Sequence, residues 1–179
     1  MSQHLIMDKN GIRRTLVRLS NEIVERIGGI DNVVILGIKR GGEIVAKRIA
    51  KHLAELEGAE LPCAGLDITM ARDDLVEEFF VPEYSGNEIG FELTGKTVVL
   101  CDDVLYTGRS VRAAIETIFS LGRPERIYLL EMIDRGGRQL PVRADFVGKN
   151  VPTAKTEYID IRFEELCGEE DAVYIVKEA

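Results

Sequence analysis

Residues 98–110, VVLCDDVLYTGRS, run from aliphatic and β-branched side chains into two adjacent carboxylates and then a threonine-glycine-arginine-serine turn. An apolar run this short, closed by turn residues, predicts a strand buried on both faces. Behind it Val111, Ala114, Ile115, Ile118 and Phe119 recur at helical spacing until Gly122 and Pro124. A buried strand that feeds a helix through a glycine turn belongs to an α/β sheet. In such sheets, ligands bind beyond the C-terminal ends of the strands.

The rest of the chain repeats the alternation. Asp8 stands as an N-cap before Ile12, Leu16, Leu19, Ile23 and Ile27, and Gly28-Gly29 end that helix. His4 precedes it in an expected frayed terminus. Val33-Val34-Ile35-Leu36 predicts a buried strand, and the turn Gly37-Ile38-Lys39-Arg40-Gly41-Gly42 leads from it to a helix with Val45, Ile49, Leu53 and Leu56 on one face and Gly58 past its end. Further strands are expected at 66–69 and 127–133, with weaker ones near 157–162 and 172–176. Residues 73–92 hold seven acidic residues, no basic ones and Pro82, which predicts a long exposed loop. The 179 residues fit one domain, 1–179, with a mostly parallel sheet flanked by helices.

Composition narrows the chemistry. His4 and His52 are the only histidines, which leaves no room for a histidine-based triad or a multi-histidine metal site. Cys63, Cys101 and Cys167 are too few and too widely spaced for a disulfide framework, and Cys101 is expected as a core residue. With 23 basic residues against 31 acidic, the net charge of −8 opposes indiscriminate nucleic-acid binding. The charge is nevertheless segregated: residues 134–155 hold five basic and two acidic residues. No apolar run is long enough for a membrane helix, so a cytoplasmic protein without membrane contact is expected.

The exit of the 98–101 strand is the richest candidate site. Backbone amides of the Thr107-Gly108-Arg109-Ser110 turn at a helix N-terminus, a glycine allowing close approach and two hydroxyls suit a phosphate monoester. Asp102 and Asp103 beside them can accept hydrogen bonds from sugar hydroxyls and favour a nearby metal–pyrophosphate complex. Residues 90–97, GFELTGKT, fit the expression of an NTP-binding loop. They would open a strand rather than a helix, which is the wrong context.

The string at 98–110 resembles the phosphoribosyl-pyrophosphate (PRPP) signature of type I phosphoribosyltransferases. With its flanks it is most similar to the PyrR family of pyrimidine operon attenuation regulators. Arg13-Arg14, Asp67-Ile68-Thr69, Asp134-Arg135-Gly136, Leu140-Pro141 and Gly148-Lys149-Asn150 extend the resemblance over nearly the whole chain. It implies the type I fold with a flexible flap at about 73–95 and a small C-terminal hood at about 134–160. It also implies conversion of uracil and PRPP to UMP and pyrophosphate with Mg2+ carried mainly by pyrophosphate, and binding of pyrimidine operon leader mRNA in response to UMP or UTP. A homo-oligomer is expected on the same ground.

Carried over by position, the resemblance gives Asp102, Asp103 and Arg72 catalytic roles. Val104, Leu105, Tyr106, Thr107, Gly108, Arg109 and Ser110 would bind PRPP or the nucleotide, with Thr107 to Ser110 on the 5′-phosphate, and Lys39, Arg40, Gly41 and Gly42 would hold the pyrophosphate. Met132, Ile133, Asp134 and Arg135 would meet the base. Arg18, Arg138, Arg143, Lys149 and Thr153 fall where the family contacts RNA. The chain departs from the family at Gly41, where an arginine is usual, and at Asn21 and Gly137, where histidines are common. Lys39-Arg40-Gly41-Gly42 looks more like the loop of hypoxanthine-type enzymes. Two alternatives therefore stand: a purine-base phosphoribosyltransferase, and a catalytically silent nucleotide-sensing RNA regulator.

Overall fold

The computed structural model describes residues 2–71, 87 and 89–177. The chain runs β1 (Ser2–Asp8), α1 (Lys9–Ile27), β2 (Val33–Ile38), α2 (Gly41–Glu57), β3 (Cys63–Leu66), a 3-10 turn (Thr69–Ala71), β4 (Thr97–Leu105), α3 (Arg109–Leu121), β5 (Arg126–Asp134), β6 (Phe146–Asn150), β7 (Glu157–Arg162), α4 (Glu164–Cys167) and β8 (Ala172–Lys177). Five strands form the main sheet in the order β3-β2-β4-β5-β6, and every neighbouring pair is parallel. All six residues of β2 are buried, as expected of a strand covered on both faces.

The helices form where the sequence supplies their ends. The Asp8 side chain accepts from the Gly11 N–H at 2.7 Å, and Gly28, left-handed at φ 80°, donates its N–H to the Val24 carbonyl. Ile12, Leu16, Leu19 and Ile23 of α1 join Val45, Ile49 and Leu53 of α2 over one face of the sheet, against Ile35, Val99 and Leu130. On the other face Val111, Ala114 and Ile118 of α3 cover Val34, Leu36, Leu100 and Leu129. The core is therefore two layers divided by the sheet, and the strand ends that carry the candidate residues open between them.

Three expectations are corrected. The strand near 66–69 lies at 63–66, because the Asp67 carboxylate accepts from the Thr69 N–H and hydroxyl at 3.0 and 2.6 Å and turns the chain at that point. The N-terminus is not frayed: His4 lies in β1, opposite Ile175 of β8. Finally, the small second sheet, antiparallel in the order β1-β8-β7, draws on both chain termini as well as on the 134–160 segment. Its β1 is exposed along most of its length, so no apolar alternation announces it.

The small sheet is clamped to the main body. Arg48 of α2 forms two hydrogen bonds with the Asp171 carboxylate and two with that of Glu165, and its guanidinium lies 5.0 Å from the centre of the Phe163 ring. Residues 72–86 and 88, which include Arg72 and most of the expected flap, lie outside the described residues. At the near end of that segment, the Asn87 side chain bonds the Asp67 N–H and carbonyl at 2.7 and 2.8 Å.

Candidate active site

Two helices begin where β4 ends. Asp102 and Asp103 are the sixth and seventh residues of β4, so the strand ladder fixes their backbone. The Asp103 N–H donates to the Asp102 carboxylate at 3.0 Å, and the Val104 N–H to that of Asp103 at 2.9 Å. The N-terminus of α2 closes on this pair from the side. A β-carbon on Gly42 would lie 2.5 Å from the Cys101 carbonyl oxygen and 2.9 Å from Cα of Asp102, while one on Gly41 would overlap the Asp103 carboxylate. Close approach of backbone thus requires glycine at 42, while at Gly41 the Asp103 side chain occupies the space a side chain would take and would have to move to admit one. Lys39 and Arg40 are exposed just ahead of them, joined by a cis peptide bond.

The second helix N-terminus belongs to α3. Gly108, at φ 91°, turns the chain from β4 into it, a conformation that favours glycine. The Thr107 hydroxyl accepts from the Arg109 N–H at 3.3 Å. Asp102, together with residues 104–111, lines a cavity of about 310 Å³. Among its lining residues Asp102, Thr107, Arg109 and Ser110 bring a carboxylate, two hydroxyls and a guanidinium to the start of α3, an arrangement that accommodates an anion attached to a polyol.

The segment after β5 braces this loop. The Arg135 N–H extends the ladder to the Leu105 carbonyl at 3.0 Å, and the amides of Gln139 and Leu140 donate to the Thr107 carbonyl. The guanidinium of Arg135 stacks 4.0 Å from the Tyr106 ring centre while its Nε donates to the Thr153 hydroxyl at 2.8 Å. Arg138 pairs with the Asp134 carboxylate and donates to the Tyr106 and Val142 carbonyls at 2.8 and 3.1 Å. Gly137 is left-handed, and a β-carbon there would meet Cε2 of Tyr106 at 2.5 Å, so the ring occupies the place of a side chain at 137.

The expected residues accordingly fall into separate groups. Asp102, Asp103, Gly41, Gly42 and the 104–110 loop converge, with Lys39 and Arg40 at their edge. Asp134 and Arg135 lie at the adjacent strand end, whereas Met132 and Ile133 are wholly buried and offer a ligand only backbone groups. Among the residues expected to face RNA, Arg18 donates to the Val147 and Gly148 carbonyls at 3.2 and 2.6 Å and lines one shallow groove with Arg14 and Lys149. Arg143 is exposed beside Arg26 in a second hollow. Arg138 and Thr153 are engaged in the internal network already described.

Glu131 of β5 was not among the sequence candidates. It is completely buried, neither carboxylate oxygen has a hydrogen-bond partner among the described residues, and it stands directly beside Asp102 in the parallel ladder. Burial, reinforced by Asp102 and Asp103, holds its carboxyl well above the usual range. Burial also raises the Asp103 carboxyl, with the Asp102 carboxyl and the Val104 N–H pulling the other way. A lone acid in the apolar run at 127–133, placed on the same face as Asp102 by parallel pairing, was the available signal. Cys101 is fully buried and its thiol is held well above its ordinary range, as suits a core residue.

Comparison with known proteins agrees with this geometry. Residues 5–164 match the phosphoribosyl transferase domain. The chain is 49% identical to the bifunctional protein PyrR of Pelotomaculum thermopropionicum over 95% of its own length and 94% of that protein. It is 50% identical to the bifunctional protein PyrR of Thermus thermophilus over 92% and 91%. Among solved structures it is similar to the HGPRT-ase of Leishmania tarentolae in complex with GMP, with a TM-score of 0.70, 15% identity and 99% coverage of both chains. It is also similar to the hypoxanthine phosphoribosyltransferase of Trypanosoma cruzi in complex with IMP, with a TM-score of 0.71, 14% identity and coverage of 97% and 89%. These structures bear on the fold, while the far higher identities bear on the family. With its signature loop at the end of β4 and a matching sequence along nearly its whole length, the chain belongs to the phosphoribosyltransferases and, within them, to the PyrR proteins.

Proposed function

We propose that this chain transfers the phosphoribosyl group of PRPP to uracil, forming UMP and pyrophosphate, and that a uridine nucleotide in the same site promotes binding of pyrimidine operon leader RNA. The observation that carries the reading is the meeting of two glycine-opened helix N-termini, those of α2 and α3, at the Asp102–Asp103 pair. Each N-terminus offers backbone amides and a partial positive charge to an anion, and PRPP presents two anionic groups on one ribose. The 104–110 loop takes the 5′-phosphate, residues 39–42 the pyrophosphate, and the carboxylates the ribose hydroxyls between them.

The reaction then needs little from side-chain chemistry. The C1–oxygen bond to pyrophosphate breaks as the base nitrogen forms its bond to C1, and the electron pair leaves with the pyrophosphate. Positive charge develops on the ribose ring beside Asp102 and Asp103, where fixed carboxylates stabilise it. Positioning supplies much of the remainder. The base would lie against the end of β5, near Asp134, Arg135 and the backbone of Met132 and Ile133. Arg72 would reach the pyrophosphate from the flap.

The donor set fits magnesium entering with the substrate. Among the described residues no group of three or more His, Cys, Asp and Glu forms a cage, yet two carboxylates adjoin the anion cradle. Asp102 and Asp103 would face a magnesium ion chelated by pyrophosphate oxygens, which supplies charge neutralisation for the leaving group. Arg18 and Lys149 in their groove, with Arg143 nearby on the chain, would meet RNA phosphates, while Arg138 and Thr153 would act by holding the hood loop in shape. A homo-oligomer in the cytoplasm completes the reading; no described helix is long and apolar enough to cross a membrane.

The test is pyrophosphate release from PRPP and magnesium with uracil, hypoxanthine, guanine, adenine and orotate, products being identified by mass. Turnover of uracil is expected. Turnover of a purine alone would overturn the choice of base, and no turnover with any base would overturn the enzyme. Leader RNA should shift more strongly with UMP present and lose affinity steeply with salt.

A further inference from the structure

The turn at residues 107–110 is held from outside by the loop that follows β5. The N–H groups of Gln139 and Leu140 both donate to the Thr107 carbonyl, at 3.0 and 3.1 Å. A β-carbon on Gly108 would lie 3.4 Å from Val142 and 3.5 Å from Leu140, so the same loop also packs on the glycine. The Nε of Arg109 donates to Oε1 of Gln139 at 3.1 Å. Gln139 therefore touches the turn twice. Its backbone holds Thr107, and its side chain holds Arg109, the residue that brings a guanidinium to the cavity at the end of β4.

A guanidinium is a rigid planar fork, so fixing Nε sets the plane in which its terminal N–H groups lie. The acceptor here is an amide oxygen, which orients the cation and adds no net charge beside an anion site. A carboxylate in its place would orient the cation and also oppose the anion. We propose that Gln139 is a positioning residue for the 5′-phosphate: through a neutral acceptor it fixes the Arg109 guanidinium at the mouth of the phosphate-binding turn. This rests on the reading of the cavity as the site of a nucleotide 5′-phosphate. It assigns part of the ligand affinity to a side chain outside the cavity lining, acting through Arg109.

Equilibrium binding of UMP to the full chain, read by titration calorimetry at low salt, tests it, with thermal melts confirming that each variant is folded. Gln139→Met keeps the length of the side chain and deletes the acceptor. The Kd for UMP should rise about three- to tenfold, as expected for the loss of one hydrogen bond to a charged group at an exposed position. In an Arg109→Ala background the same substitution should change Kd by less than about twofold, because its effect travels through the guanidinium. An equal loss in both backgrounds would mark a purely structural role and overturn the proposal, as would no loss in either. Gln139→Glu restores the acceptor but adds a charge, so Kd should again rise; a wild-type Kd in that variant would overturn the role given to the neutral amide. With PRPP the loss should fall on KM rather than on kcat, and a fall in kcat alone would also overturn it. A wild type that binds no UMP overturns the reading of the site and the proposal together, whereas wild-type binding without coupling between positions 109 and 139 overturns the proposal alone.

Discussion

Two buried acids in this protein meet opposite circumstances. Asp171, at the entry to β8, accepts from both terminal nitrogens of Arg48 and from the Glu164 N–H. Burial works against its charge, yet the Arg48 hydrogen bonds hold its carboxyl below the usual range. Glu131, in the middle of the main sheet, accepts a hydrogen bond from no described cation or amide, and its carboxyl is held well above that range. The first acid serves the architecture, since it ties the terminal sheet to α2. The second weakens the architecture and adjoins the site. A carboxyl group left unsatisfied on both oxygens in the core is where function is expected to have overridden stability.

The comparison can be broken by removing each acid. Asp171→Ala leaves the Arg48 guanidinium with Glu165 alone, and about 1.5–3 kcal/mol of stability should be lost, read as a fall in denaturant midpoint. Glu131→Leu should have the opposite sign: replacing an unpartnered carboxyl by an apolar side chain of similar size should gain about 1–3 kcal/mol at neutral pH. Destabilisation by that variant would mean that Glu131 has a partner that its surroundings do not reveal.

Proton linkage sharpens the contrast. The folded-state carboxyl of Asp171 is depressed, so its contribution is full above about pH 4, the unfolded value, and is lost as pH falls through the lower folded value. The penalty of Asp171→Ala should therefore shrink in acid. Glu131 is raised, so the fold binds its proton more tightly than the unfolded chain, and the stability this brings is full below about pH 4.3 and lost as pH rises. The advantage of Glu131→Leu should grow with pH. Thermal melts of both variants between acid and alkaline buffer measure the two slopes, and equal slopes would erase the distinction.

The smallest effect is expected at the brace between the hood and the phosphate loop. Tyr106→Ala removes the ring stacked on Arg135 and should cost about 0.5–1 kcal/mol of stability. The hydrogen bonds of Arg135 to Thr153 and to the Glu157 carbonyl remain in that variant. A larger loss would mean that the ring, rather than these bonds, holds the loop.

What could be read from the residues followed the locality of the signal. The α/β order, the caps at Asp8, Gly28 and Gly58 and the whole 98–110 string depend on neighbours in the chain, and each was legible. β1 pairs with β8 from the far end of the chain and shows little apolar alternation, so no local pattern announces it. Glu131 was hidden for a related reason. Its significance lies in the ladder that sets it beside Asp102, a partner 29 positions earlier. Gly41 shows the reverse case: it was visible as a departure from the family, and only the structure shows the Asp103 carboxylate packed against it.

The central claim is that the β4 exit carries phosphoribosyl transfer to uracil. Its most direct test is UMP formation from uracil, PRPP and magnesium by wild type and Asp103→Asn in parallel, with a thermal melt confirming that the variant is folded. The account predicts UMP from the wild type and a loss of about 100-fold or more in kcat/KM in the variant, the scale expected when a charge-stabilising group at a transition state is removed. A folded Asp103→Asn protein that makes UMP at the wild-type rate would contradict it.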